Sequence, residues 1–250
     1  MSAAIDTIEH MFEHGGMSSS AAAVAPEPDA AAARVRELQA RIRGMEKTTL
    51  PDRGIPTPDA VGALLPGGAL QQGSAYSLDR SSMLLMALLA APSAAGTWCA
   101  VVGMPEFGVE AAQDWGIRLD RLVLVPTPGE HWLTVTAAIA DVMGVVAVRP
   151  PAKVSDGQVS KLAARLRQRG STLLVIGSWP GSEAMLSISG SSWQGIGAGH
   201  GHLAAREVTL TVTHRSVGRP RSARLMLPDR AQALAAVAGG QRPQHLRAVG

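Results

Sequence analysis

The chain has 250 residues, 46% hydrophobic and 17% charged, with a formal net charge of +3. That is enough apolar material for a substantial core, which excludes wholesale disorder. The longest purely apolar run, residues 83–91, is about half a membrane span, so no bilayer crossing is expected. The single cysteine, Cys99, excludes a disulfide framework and argues against a thiolate metal site. Residues 1–30 hold no Lys or Arg, so no secretory signal is expected and a reducing cytoplasm is the expected address.

The small net charge hides a gradient. Residues 1–29 carry Asp6, Glu9, Glu13, Glu27 and Asp29 and no cation, whereas residues 200–250 carry eight Arg against Glu207 and Asp229. A polarised chain of this kind can meet an anionic partner with its basic end, or simply expose a solvated basic face.

In chain order, residues 1–29 read as a disordered acidic tail, Ser/Ala-rich and closed by Pro26 and Pro28. Residues 30–48 read as an amphipathic helix capped by Asp29, with an apolar stripe of Val35, Leu38, Ile42 and Met45. A stripe this narrow suits one docking surface, on the same chain or on another subunit. Residues 49–63, with Pro51, Pro56 and Pro58, read as a linker, residues 64–228 as the core domain, and residues 229–250 as a flexible tail after a weak Ala-rich helix.

Within the core, strands are expected at 74–78, 97–102, 121–125, 145–148 and 172–176, and helices at 81–91, 107–115, 127–143 and 155–170. Ser155 with Gln158 makes a capping box, and Thr127 with Glu130 makes a second, with Pro128 at the first helical position. Strand and helix alternate through short connections, the signature of a parallel sheet covered on both faces. After Gly177 the period changes to two, with strands at 185–189, 207–213 and 221–227, so antiparallel strands are expected at one edge. Gly195, Gly197, Gly199 and Gly201 suggest a flexible loop before the last hairpin.

Ligands bind such sheets at the carboxyl ends of the strands. The first strand–loop–helix reads Leu78-Asp79-Arg80-Ser81-Ser82-Met83. It lacks the glycines and the lysine that wrap and neutralise phosphate, and Asp79 repels one. An apolar strand such as 145–148 normally ends in a carboxylate that orients magnesium; here Arg149, Pro150 and Pro151 follow. Both losses speak against hydrolysis of a nucleoside triphosphate. No catalytic residue, cofactor or metal site is expected. His200 and His202 share a face of an extended segment but have no third ligand nearby.

Leu65-Pro66-Gly67-Gly68-Ala69-Leu70-Gln71-Gln72-Gly73, then Gly103-Met104-Pro105-Glu106-Phe107-Gly108, resemble successive units of the RecA family core. That resemblance implies a RecA-like three-layer α/β sandwich preceded by an N-terminal helix, and makes Glu106 the counterpart of the glutamate that polarises the attacking water. A helix-start anion is the simpler reading of Glu106. Leu122-Val123-Leu124-Val125-Pro126, Val148-Arg149-Pro150-Pro151 and Gly199-His200-Gly201-His202-Leu203 are similar to the degenerate actinobacterial ImuA-type (ImuA-prime) branch, and the similarity spans about residues 34–228. It implies a non-catalytic adaptor of DNA-damage-induced mutagenic translesion synthesis. The implied partners are ImuB, an inactive Y-family polymerase homologue, and through it an error-prone replicative-type polymerase, in the cytoplasm and at the nucleoid on damage. The alternatives are a RecA-type ATP- and DNA-binding recombination protein and a SulA-like inhibitor of cell division.

Two contact surfaces are expected. One is the Val35, Leu38, Ile42 and Met45 stripe, toward a partner or a second copy. The other is the basic hairpin, with Trp193, Arg206, Arg215, Arg219, Arg221 and Arg224 positioned for a partner protein or single-stranded DNA. Lys161, Arg165, Arg167 and Arg169 are expected to form a solvated helix face, and the five Trp to be core.

Overall fold

The structure is a computed structural model that describes residue 37 and residues 54–197, 200–229, 231 and 233–237. Side chains at 196–202 are not among those described. The acidic tail and the Val35, Leu38, Ile42 and Met45 stripe lie outside the described residues, as does most of the expected C-terminal tail.

Residues 54–63, read above as the end of a linker, are part of the fold, whereas 49–53 lie outside the described residues. Strand β1 (Gly54–Ile55) pairs antiparallel with β2 (Leu70–Gln71), and a short helix α1 (Asp59–Gly62) lies between them. Ile55 and Val61 are buried, and the Thr57 hydroxyl accepts from the Leu70 N–H at 3.0 Å. Pro56 and Pro58 thus belong to a packed turn between β1 and α1, not to a spacer.

The main sheet has nine strands in the order β11-β10-β9-β8-β3-β7-β6-β4-β5. Strands β3 (Ala75–Leu78), β4 (Cys99–Val102), β5 (Leu122–Val125), β6 (Val145–Val148) and β7 (Thr172–Ile176) run parallel, and β8 (Ala184–Gly197) joins β3 in parallel. Strands β9 (His200–His214), β10 (Arg221–Met226) and β11 (Ala235–Ala236) complete an antiparallel edge. This is the mostly parallel α/β sandwich with an antiparallel edge expected of a RecA-like core. Where an Ala-rich helix was expected after Arg230, the described residues form a turn and strand β11. Pairing with β10 outweighs the weak helical preference of an alanine pair.

Apolar residues alternate between two cores because successive strand side chains point to opposite faces. Cys99, Val101, Val145 and Ala147 pack on one side with helix α2 (Ser82–Ala94). Ala100, Val102, Val146 and Val148 pack on the other with α4 (Trp132–Ala140) and α5 (Asp156–Arg169), the latter through Val159, Leu162 and Leu166. Trp132 and Trp179 meet edge-to-face in that second core, with ring centroids 6.5 Å apart. Helix α2 is buried from Leu84 to Leu89 without a polar stripe, so burial and its Ser81 cap, not amphipathicity, define it.

Helix α5 starts at the expected capping box: the Ser155 side chain accepts from Gln158 N–H and Gln158 reaches back to Ser155 N–H. Gly170 ends it in the left-handed conformation. Ser155→Ala should cost about 0.5–2 kcal/mol in a denaturant titration. The Thr127 box does not form. Pro128 and Gly129 lead into a single 3-10 turn, Gly129–His131, and α4 begins only at Trp132, with no side-chain cap. Gly129 sits at φ +64°, outside α-helical geometry, so the α-helix begins at Trp132 and not at Pro128, four residues late. The helix expected at 107–115 contracts to α3 (Val109–Asp114), because Gly108 stays extended.

Candidate functional site

The carboxyl ends of β3, β4, β6 and β7 surround a small open cleft. Its walls include Arg80, Leu85, Met104, Glu106, Phe107 and Arg149. It occupies the place where the parallel-sheet rule puts a ligand.

Adjacency of β4 and β6 builds the cleft's polar rim. Arg149 N–H donates to Val102 O at 3.0 Å, which sets the residue after β6 beside the loop after β4. Gly103 makes this approach possible: it sits at φ +74°, and a Cβ there would lie 2.7 Å from the Arg149 carbonyl oxygen. Across the gap the Arg149 guanidinium donates through Nη1 to Glu106 Oε1 in an ion pair. The two residues that sequence reading singled out separately are therefore each other's partner. Glu106 is not a helix-start anion, since it lies in a turn ahead of α3. Its own backbone N–H, and then the Arg149 guanidinium, hold its carboxyl below the usual carboxylate range. Arg149→Ala should move the Glu106 titration upward but leave it below an ordinary glutamate, because the backbone contribution persists; carbon-detected NMR titration reads this directly.

The wall from β3 is closed to phosphate in another way. Ser81 is occupied as the cap of α2, accepting from Leu84 N–H at 3.2 Å. The Asp79 carboxylate accepts from Arg80 N–H at 2.8 Å and from Ile188 N–H at 3.3 Å. These groups serve the fold. Arg80, Met104 and Phe107 were not singled out from sequence; only their positions just beyond strands β3 and β4 could have signalled them.

The basic hairpin divides. Arg215 approaches Glu183 at 3.9 Å, a carboxylate also paired to His214 Nε2 at 3.1 Å, and Arg224 pairs with Glu207 at 3.2 Å. Arg219 and Arg221 are exposed, with no ion pair among the described residues. Arg206 stands apart from these at the other end of β9, opposite Trp193 in the β8–β9 register. Its guanidinium lies over the Trp193 ring at 5.8 Å and its Nε–H donates to Ser191 Oγ at 2.9 Å. Trp193 and Trp98 are 40% and 45% exposed, so these two are not core; an arginine covers each, Arg206 on one and Arg121 on the other. The glycine run read as a loop is the paired tip of a hairpin, with Ile196 opposite Gly201 and Gly197 opposite His200.

The α5 cations are not simply solvated. Arg165 Nε donates to Asp141 Oδ1 at 2.6 Å and Arg169 Nε approaches the same atom at 3.3 Å, joining α5 to the turn after α4. The Arg165 guanidinium holds the Asp141 carboxyl below its usual range. Among the described residues, no three His, Cys, Asp or Glu side chains cluster to hold a metal ion, and no helix is long and apolar enough to cross a membrane.

Residues 63–181 match the sequence model of the MT3502 N-terminal domain family, a span that contains the cleft but not β8 to β11. The chain is 35% identical over 134 residues to the uncharacterized protein Rv3395c of Mycobacterium tuberculosis. That alignment covers 52% of this chain and 66% of the relative, just under two thirds of its length. Among solved structures, the flagellar accessory protein FlaH of Methanocaldococcus jannaschii superposes with a TM-score of 0.48 at 10% identity, over 71% of this chain and 95% of that one.

Proposed function

We propose that the protein is a non-catalytic, RecA-like adaptor in DNA-damage-induced mutagenic translesion synthesis, binding ImuB and through it the error-prone polymerase. The observation that carries the non-catalytic half is the Glu106–Arg149 ion pair. A carboxylate that is to polarise water must be free to accept its proton, and a carboxylate that is to hold magnesium must stand where Arg149 stands. Here an arginine engages the one and replaces the other. The short loop between β3 and α2 spends its hydroxyl and carboxylate on capping and on the β8 backbone. The ImuA-type resemblance supplies the adaptor half, and the mycobacterial relative is compatible with it.

The test has two parts. The thermal midpoint of the full chain should not move in millimolar ATP with magnesium, whereas a functional nucleotide site at about 100 times its Kd would add about 2.7 kcal/mol. Purified ImuB should form a stable complex with the chain, and deletion of the gene should abolish damage-induced mutation. A nucleotide-dependent shift would instead favour a RecA-type ATPase, and binding to the tubulin-like division protein in place of ImuB would favour the SulA-like alternative.

A further inference from the structure

Strand β3 pairs with β8 only at Ala184 and Met185, and the Asp79 contacts to Leu186 and Ile188 extend that side slightly. Strand β10 pairs with β9 only over residues 207–212. From residue 189 to 197, β8 is therefore paired on one side alone, with residues 192–197 matched to 200–207 of β9. Every β8 residue from 189 to 195 is exposed, whereas the β9 half is held at its base, where Ala205 is buried and Arg206 exchanges backbone hydrogen bonds with Leu227 and Pro228. An unsupported two-stranded ribbon is marginal in water, and a third strand is the usual remedy.

The free edge is interrupted by register shifts against β9 between Ser189 and Ser192 and between Gln194 and Ile196, but it carries neither of the side-chain devices, charge and proline, that block strand addition. Ser189-Gly190-Ser191-Ser192-Trp193-Gln194-Gly195-Ile196-Gly197 has no charge and no proline. Its small side chains let another backbone approach, and alternate N–H and C=O groups point away from β9. At its centre stand Trp193, an exposed aromatic, and Arg206, which has no carboxylate partner among the described residues. One unpaired cation is too little for a nucleic acid strand, whose binding rests on several phosphate contacts. It suits a polypeptide strand with an apolar side chain for the indole and a carboxylate for the guanidinium.

We infer that the outer edge of β8 over residues 189–197 is a docking strand that accepts an acidic, extended segment of a partner polypeptide by β-augmentation, with Trp193 and Arg206 as its anchors. This deepens the adaptor reading and rests on it only for who the partner is.

The probes are fluorescein-labelled peptides of about ten residues with alternating Glu and Val, a Lys and Val counterpart, and oligothymidylate, each titrated into the full chain. The acidic peptide should bind and slow amide exchange at residues 189–197 by about tenfold. Trp193→Ala should weaken it about fivefold or more, and Arg206→Glu should reverse the preference toward the Lys/Val peptide, an outcome that mere unfolding of the ribbon cannot produce. No protection at millimolar acidic peptide overturns the proposal, as does Trp193-dependent binding of oligothymidylate in its place. A concentration-dependent dimer that protects the same amides without peptide overturns it in favour of self-association. Since these probes do not involve ImuB, a chain that binds ImuB without protection at 189–197 sinks the docking strand alone, and a chain that takes the acidic peptide but not ImuB sinks the adaptor reading alone.

Discussion

Between pH 9 and pH 12 the protein should lose most of its stability, and two side chains should account for the loss. Cys99 is fully buried in the first core, and burial pushes its thiol from an ordinary 9.0 up to about 12. Tyr76 is 1% exposed; burial pushes its phenol from 10.0 up to about 12, although its oxygen accepts the Gln71 N–H at 2.8 Å. Both folded-state values lie above the unfolded ones. The stabilisation is then complete below pH 9, and it falls as the unfolded chain ionises while the folded chain holds its protons. At about 1.4 kcal/mol per unit, Cys99 contributes on the order of 4 kcal/mol and Tyr76 on the order of 3, together comparable to the total stability of an ordinary domain. These are the chain's only Cys and only Tyr, so the attribution is clean. Urea midpoints measured from pH 8 to 12 should fall steeply, and Cys99→Ala should flatten the onset near pH 9. Tyr76→Phe should flatten the later part, at the cost of stranding the Gln71 N–H. A stability profile level to pH 11 would contradict the burial of both groups.

Gly103→Ala should be nearly as damaging, for a different reason. The residue sits in the left-handed region, where a side chain costs on the order of 1–3 kcal/mol. The new methyl would also press on the Arg149 carbonyl, a backbone atom that cannot rotate away. Together these should remove about 2–4 kcal/mol, a drop of roughly 4–16 °C in Tm. Gly108→Ala is the matched control five residues on. Gly108 has φ −75°, and its Cβ would meet only Ala111 Cβ at an ordinary 3.6 Å, so its Tm should hardly move. Equal losses at the two positions would mean that the β4–β6 approach is not what Gly103 serves.

These effects show which parts of the molecule were legible in the sequence. Buried parallel strands such as Val145–Val148 are short apolar runs between punctuated helices, and they fall where expected because both faces demand the same residues. The Ser155 box is local chemistry and is equally readable. The Thr127 box fails because capping needs a helical backbone after it, and Gly129 departs from that backbone. The ribbon was misread for the opposite reason. A Gly- and Ser-rich stretch has the composition of a loop, and only its partner β9, beyond the turn, makes it a strand. In the cleft, Glu106 and Arg149 were each conspicuous, yet they stand 43 positions apart, and no periodicity reveals that β6 lies next to β4. Strand order is long-range information, so the residues were legible and their meeting was not.

Asp79 gives the ribbon a mechanical meaning. Its N–H donates to Leu186 O at 2.9 Å and its carboxylate accepts from Ile188 N–H, so it clasps the root of the projecting arm. The next residue is Arg80, in the cleft wall, and Ser81, the cap of α2, follows at once. Three consecutive residues, 79–81, thus join the root of the ribbon, the mouth of the sheet and the head of its most deeply buried helix. The ribbon is therefore rooted at the strand end that other proteins of this architecture reserve for a ligand.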